Sequence, residues 1–302
     1  MAKTFFRRHT GRGSYDLFSN YAHYLPTVGG MFLLFLLFLV GALLGNLIIL
    51  ALGLVSSEFV SVYGTVISYP VMFIPPLLYA SAQSRRNEYF EMGYAVDSNN
   101  FGRLGGMKLG LAVSVATIAL AFMTDSLTRV LPEAPQWFED AMSAIMDAPV
   151  LLTLISVSVF APLFEEWLCR GLVLRGLLQK MSPAAAISIS AAFFAVLHMN
   201  PWQAVPAFII GLLFGYVYYK TGSLKLTMLM HCVNNTFAVI FSKIPAFAEV
   251  DSFIDIMRPW TYVCIFIACA AFLWGAIVTL RAIPFKSENA RCNCDEVDAL
   301  SI

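Results

Sequence analysis

Long apolar runs alternate with short polar stretches along most of this chain. About 20 apolar residues in a helix are needed to cross a bilayer core of ~30 Å. Windows that approach or exceed this length lie near 31–54, 59–82, 107–124, 148–168, 184–199, 202–219, 224–242 and 260–281. The pattern predicts an all-α polytopic membrane helix bundle with about eight transmembrane helices. The fourth helix should run on to about Lys180, and the fifth and sixth should be short.

Two kinds of local feature refine this prediction. The second span contains three prolines that should kink it, since proline lacks the N–H of a helix interior. They are Pro70, Pro75 and Pro76. The segments 15–25 and 134–146 mix aromatic and polar residues, which is typical of helices that lie flat in the membrane interface.

The composition is that of a membrane protein. The 302 residues are 59% hydrophobic and 13% charged, against roughly 25% charged residues in soluble domains. A net charge of zero gives no reason to expect nucleic acid as a partner. Because so few residues are charged, the expected surroundings are the lipid bilayer. Four of the six cysteines lie in apolar runs, which does not indicate a disulfide framework. Cys292 and Cys294 lie in a polar tail, 283–302, that we expect to be disordered.

The basic residues predict the orientation in the membrane. If the N-terminus is cytoplasmic and eight spans alternate, 16 of the 19 Lys and Arg residues fall on the inner side. Only Arg129, Lys243 and Arg258 fall outside. An excess of Lys and Arg in cytoplasmic loops is the usual signature of membrane topology, and gaining or losing one span would destroy it here. Both termini are therefore predicted to be cytoplasmic.

Strongly polar residues inside the predicted spans are few and clustered. Each is costly in lipid unless it is paired or used. They are Asn46, Glu165, Glu166, Arg170, His198, His231, Asn234 and Asn235. All but the first lie between residues 165 and 235, and polar groups that were merely tolerated would not concentrate in this way.

Helix geometry separates the two glutamates. Glu166 and Arg170 are four residues apart, ~40° around a helix, so they can pair on one face. Glu165 lies ~100° from Glu166 and is not naturally satisfied by that arginine. One carboxylate thus has a local partner, and the other is free for chemistry.

A tight connection brings His198 to the depth of Glu165. The stretch KMSPAA, from residue 180, contains Ser182 as a helix cap and Pro183 as a first helical residue. In an antiparallel hairpin centred there, positions 165 and 198 are level.

His231 and Asn235 share a face of the seventh span, because they are four residues apart. A desolvated glutamate can act as a general base towards water, and histidine and asparagine donors can stabilise an oxyanion. The same residues could instead hold zinc, for which Glu and His are ordinary ligands, or form interhelical hydrogen bonds only. The last alternative leaves Glu165 without a local partner.

Three motifs in this region resemble those of a known family. The sequence EEWLCR (165–170) fits EExxxR, FAVLH (194–198) fits FxxxH, and HCVNN (231–235) fits HxxxN. In this order and spacing they resemble the motifs of the CPBP intramembrane proteases, which include the type II CAAX prenyl proteases. The stretch GLLFGYVYYKTGSL (211–224) is also similar to the family. The resemblance covers about 150–242.

The resemblance implies a bundle of roughly eight helices whose active site hydrolyses peptide bonds inside the membrane. By motif position, Glu165 and His198 would activate the water, and His231 and Asn235 would hold the oxyanion.

The resemblance also assigns supporting residues, but it leaves the need for zinc open, and the candidate ligands include no thiolate and no HExxH motif that would force a metal. Glu166 and Arg170 would be supporting residues. A metal-independent glutamate mechanism without a cofactor is expected. If the enzyme uses zinc, Glu165, His198 and His231 would bind it.

The chain is accordingly divided into three parts. Residues 1–149 form an N-terminal membrane region of three spans with interfacial segments, 150–242 form the catalytic core, and 243–302 comprise an outer loop, the last span and the tail. The expected partner is a peptide or membrane-protein substrate. The expected location is the bacterial cytoplasmic membrane, because no eukaryotic targeting feature is present. The alternative function is a non-catalytic scaffold or bacteriocin-immunity protein of the same fold.

The charge distribution yields a direct test of topology. Single cysteines placed at Arg12, Glu91 and Ser287 in a variant without native cysteines should react with an impermeant thiol reagent only from the cytoplasmic side. Cysteines at Glu139 and Asp251 should react only from outside. Labelling of position 91 from outside would overturn the span count.

Overall fold

A computed structural model describes residues 18–90, 93–244 and 252–284, and all regular secondary structure in these ranges is helical. The main helices there are α1 (Val28–Gly53), α2 (Ser57–Asn87), α3 (Gly105–Asp125), α4 (Gln136–Met146), α5 (Val150–Leu177), α6 (Pro183–Leu197), α7 (Pro201–Thr221), α8 (Leu224–Ser242) and α9 (Pro259–Arg281). Of these described helices, seven are long and apolar enough to cross a membrane. The prediction of an all-α polytopic membrane bundle is confirmed.

The fifth predicted span, α6, is short. It begins as predicted, with Ser182 accepting a hydrogen bond from the Ala185 N–H at 3.4 Å and Pro183 as its first residue. It has 15 residues, which at ~1.5 Å per residue do not reach across ~30 Å of hydrocarbon. The helix ends at Leu197 because Met199 has a φ of 54°, a left-handed conformation that no helix continues through.

The next helix starts almost at once. The Asn200 side chain accepts a hydrogen bond from the Gln203 N–H at 2.8 Å and caps α7, whose first residue is Pro201. Since α7 has 21 residues, the prediction that the sixth span is short was wrong.

Helix α5 contacts α2, α6, α7 and α8, and it departs from regular α geometry twice. Its α-helical segment Ala161–Glu166 lies between two π-helical stretches, Leu154–Phe160 and Trp167–Leu174. Wide turns of this kind occur mostly as short insertions at functional sites. The predicted extension of the fourth span is confirmed, since the helix runs to Leu177.

The C-terminal end of α5 is fixed by a buried arginine. Arg175 has no exposed surface and donates hydrogen bonds to the backbone carbonyls of Tyr21 at 2.7 Å, Tyr24 at 2.9 Å, Tyr94 at 2.5 Å and Ala22 at 3.3 Å. The chain preceding α1 and the loop after α2 are thereby held against α5.

The segments predicted to lie flat have different outcomes. In 134–146 the helix α4 forms as expected, and its place at the membrane surface stays a prediction. In 15–25, residues 18–25 are described and contain one 3₁₀ turn, Ser19–Tyr21, so the expectation of an interfacial helix was wrong for that part.

Other expectations concern the prolines and cysteines. Helix α2 runs unbroken through its three prolines, and the predicted kink stays a prediction. All cysteines within the described ranges are free. Cys292, Cys294 and the rest of the tail beyond residue 284 lie outside the described residues.

Helices α1 and α2 form an antiparallel pair at close range. A Cβ atom added at Gly41 would lie 2.1 Å from the Met72 carbonyl oxygen, which is a backbone atom that cannot move aside. Glycine at this position therefore sets the separation of the two helices, as small residues do in membrane interfaces.

Replacing Gly41 by alanine should push the α1–α2 pair apart. Overpacking of this kind typically costs ~1–3 kcal/mol, so Gly41→Ala should lower the midpoint of unfolding in detergent. Gly53→Ala is the matched control, because a Cβ there meets nothing within 4 Å. Equal stability of the two variants would show that α1 and α2 are not closely packed.

Candidate active site

A buried ion pair lies at the centre of the bundle. Arg170 Nη1 donates to Glu166 Oε1 at 2.8 Å, and neither side chain has exposed surface. The pair forms across one helical turn of α5, as its four-residue spacing predicts. Arg170 Nη2 also donates to the Gly211 carbonyl at 3.1 Å, which joins α5 to α7.

Two aromatic rings enclose the arginine. Its guanidinium carbon lies 4.6 Å from the centre of the Phe194 ring and 5.4 Å from that of Phe214. A desolvated cation near aromatic faces gains electrostatic stabilisation. The rings thus replace part of the solvation that Arg170 loses.

His231 on α8 binds the same carboxylate. Its Nδ1 lies 3.0 Å from Glu166 Oε1. Because a carboxylate paired with arginine only accepts hydrogen bonds, Nδ1 carries the proton and donates it. Glu166 thereby fixes the orientation of the His231 ring, and this contact was missed by the sequence analysis.

Glu165 faces a different neighbourhood. Its Oε1 accepts a hydrogen bond from the Tyr69 hydroxyl of α2. Its Oε2 is buried without a hydrogen-bond partner among the described residues and lies 3.9 Å from His231 Nε2. That distance is too long for a direct hydrogen bond and suits a bridging water. His231 therefore lies between the two glutamates, bonded to one and close to the other.

His198 lies at the C-terminal end of α6. Its Nδ1 is 3.0 Å from the Phe194 carbonyl oxygen, so Nδ1 donates and Nε2 is the nitrogen left for chemistry. The Phe194 ring makes edge-to-face contacts with both histidines, with ring centres 5.2 Å apart for His198 and 5.5 Å apart for His231. In the described part of the chain no hydrogen bond or ion pair joins His198 to Glu165.

Asn235 ties α8 to the first π-helical stretch of α5. Its Nδ2 donates to the Val157 carbonyl at 2.8 Å, and its Oδ1 accepts from Asn234 Nδ2 at 3.0 Å. Only one of its two amide protons is used by Val157. No acceptor among the described residues takes the other, which is left for a ligand.

The structure thus brings together most of the predicted site. Glu166, Arg170 and His231 are joined by direct contacts, Glu165 lies 3.9 Å from His231 Nε2, and His198 adjoins them through Phe194. Tyr69 was missed, because no motif or spacing relates α2 to α5.

The described residues do not form the ligand set that the zinc alternative requires. Among the residues described, no three or more His, Cys, Asp or Glu side chains are grouped so that they could hold a metal ion. The set Glu165, His198 and His231 does not fit such a site here, so no reaction step below is assigned to a metal.

Comparisons with known proteins agree with the motifs. No curated protein and no solved structure matches the chain. Residues 147–237 match the family model described as type II CAAX prenyl endopeptidase Rce1-like. This segment contains both glutamates and both histidines of the site, together with Asn235. Within this chain, the similarity to type II CAAX prenyl endopeptidases of the Rce1-like kind is therefore shown for residues 147–237, the segment that holds the candidate site.

Proposed function

We propose that this protein is an intramembrane endopeptidase that hydrolyses a peptide bond with water activated by Glu165. The family match supports a protease, and the seven apolar helices support a membrane setting. The observation that carries the proposal is the position of Glu165 Oε2, which is buried, has no hydrogen-bond partner in the described part of the chain and lies 3.9 Å from His231 Nε2. A water bound there would have a general base on one side.

The reaction follows from that position. The water oxygen attacks the carbonyl carbon of the scissile bond while Glu165 takes one proton from the water. The π electrons of the carbonyl move to its oxygen and form a tetrahedral oxyanion. When the C–N bond breaks, its electron pair leaves with nitrogen, and the proton held by Glu165 passes to that nitrogen. The products are a carboxylic acid and an amine, and the carboxylate of Glu165 is regenerated.

The histidines and Asn235 have distinct proposed roles. His198, through Nε2, holds the water together with Glu165. His231 and Asn235 donate to the oxyanion, which is where preorganised donors contribute most to rate. Because Nδ1 of His231 donates to Glu166, donation from Nε2 requires the doubly protonated ring.

The proposed substrate is a peptide or a segment of a membrane protein. Glu165, His231 and Asn235 lie on helices long enough to span the membrane, and His198 directly follows α6, which supports a substrate that reaches them from within the bilayer. The proposed location remains the bacterial cytoplasmic membrane.

Removal of the base tests the function directly. Purified protein in lipid nanodiscs should cleave members of a synthetic peptide library, detected by mass spectrometry, and Glu165→Gln should abolish cleavage because it keeps the shape and deletes the base. Glu58→Gln, an exposed glutamate at the start of α2, is the control and should retain full activity. Cleavage by neither the native protein nor the control would favour the non-catalytic scaffold.

Glu166→Gln should act first through stability. It leaves the fully buried Arg170 without its charge partner, and such a loss costs about 3–5 kcal/mol. Turnover should also fall, since His231 loses the carboxylate that orients it. Chemical denaturation and cleavage assays measure the two effects. A stable but inactive Glu166→Gln beside an active Glu165→Gln would reverse the two roles.

Asn235→Ala should lower turnover with little change in substrate affinity. Loss of one oxyanion donor typically lowers kcat by ~10²–10³-fold, and an interaction made only in the transition state changes kcat and leaves KM nearly unchanged. Asn234→Ala is the comparison and should have a much smaller effect, because Asn234 acts only by orienting Asn235. Weaker substrate binding with intact kcat would mean that this face binds substrate and stabilises no charge.

Exhaustive chelation should leave the turnover rate unchanged. The described residues bring no three metal-binding side chains together, so the water is assigned to Glu165 and His198 without a metal ion. The check is cleavage before and after dialysis against a strong zinc chelator, with metal content measured in parallel. Activity that disappears and returns specifically with zinc would establish a metal mechanism.

A further inference from the structure

We propose that Tyr69 is a positioning residue for Glu165, supplied by a helix that lies outside the family-matched segment 147–237. The inference rests on the proposed function, in which Glu165 is the base. It adds a residue that none of the three motifs contains. It also gives the α1–α2 pair a part in the reaction beyond crossing the membrane.

The contact is specific to one oxygen of the carboxylate. The Tyr69 hydroxyl donates to Glu165 Oε1, and this is the one hydrogen bond that the described residues give to Glu165. A phenol O–H that donates keeps its own proton, so it leaves the carboxylate able to accept one. With Oε1 held, rotation of the carboxylate is restricted, and Oε2 stays towards His231 Nε2.

A second contact fixes the position of the tyrosine. Phe73, one helical turn after Tyr69, stacks on Phe164 with ring centres 5.2 Å apart and an angle of 14° between the rings. Phe164 is the residue next to Glu165. The rings of Tyr69 and Phe73 are themselves 5.8 Å apart. Two successive turns of α2 therefore dock on two successive residues of α5, and the hydroxyl is placed by packing as well as by its own bond.

This arrangement suits a positioning role. A base must lie within hydrogen-bond reach of the proton it removes, and a displacement of about 1 Å can lower the rate ~10²-fold. A hydroxyl that only joined two helices would affect stability and leave the rate of the bound complex unchanged. The two roles therefore differ in kcat.

The test compares two conservative variants of the full-length protein in nanodiscs. Tyr69→Phe keeps the ring and removes the hydroxyl, and Tyr63→Phe makes the same change at an exposed position of the same helix. The probe is the library peptide that the native protein cleaves fastest. Tyr69→Phe should lower kcat by ~10- to 100-fold with little change in KM in a protein that still folds, whereas Tyr63→Phe should match the native protein. Unchanged kcat in Tyr69→Phe would overturn the inference.

A second measurement does not depend on activity. 3-Fluorotyrosine introduced at position 69 should give a ¹⁹F signal that shifts when Glu165 is changed to Gln and stays in place with Glu58→Gln. Absence of that shift would overturn the contact even in an active enzyme. A native protein that cleaves no peptide but shows the shift would refute the proposed function, and with it the positioning role, while leaving the contact intact. An active native protein with an unaffected Tyr69→Phe would refute this inference alone.

Discussion

The site depends on one buried ion pair, that of Glu166 with Arg170. A charge inside a membrane bundle is tolerated only when it is paired and hydrogen-bonded, and removal of one partner leaves the other stranded at high cost. Arg170 meets this constraint with a carboxylate, a backbone carbonyl and two aromatic rings. The same carboxylate oxygen also accepts a hydrogen bond from His231 Nδ1. The pair thus links α5, α7 and α8 and orients the histidine beside the second glutamate.

The adjacent glutamate, Glu165, is available for chemistry because the ion pair gives it no cationic partner. Glu165 is about a quarter turn away from Glu166 on the helix, so the arginine cannot reach both. Its one hydrogen bond among the described residues comes from Tyr69, and its second oxygen is buried without a donor there. Two neighbouring residues of the same type therefore have different tasks: Glu166 is held through its Oε1 in the buried ion pair and is structural, although its Oε2 also has no partner among the described residues, and Glu165 is held in place for chemistry. The helical segment that carries both glutamates is flanked on each side by a π-helical stretch.

Local spacing predicted much of the fold and part of the site. The long apolar runs predicted the spanning helices, Ser182 and Pro183 predicted the start of α6, and the four-residue interval predicted the Glu166–Arg170 pair. Local spacing could not predict contacts between distant segments. Tyr69 is 96 residues from Glu165, and His231 is 65 residues from Glu166. No alternation or motif encodes which helix faces which, because lipid-facing and buried faces are both apolar. The early end of α6 also depended on the backbone conformation of Met199, which its side chain does not reveal.

The most direct test of the central claim is a stability cycle on the ion pair, with Glu166→Gln and Arg170→Met made singly and together. If the pair is the structural element that frees Glu165 for chemistry, each single change should cost about 3–5 kcal/mol. The double change should then cost clearly less than the sum, because no stranded charge remains. Strictly additive losses would contradict the account, since they would mean that the two side chains stabilise the bundle independently of each other.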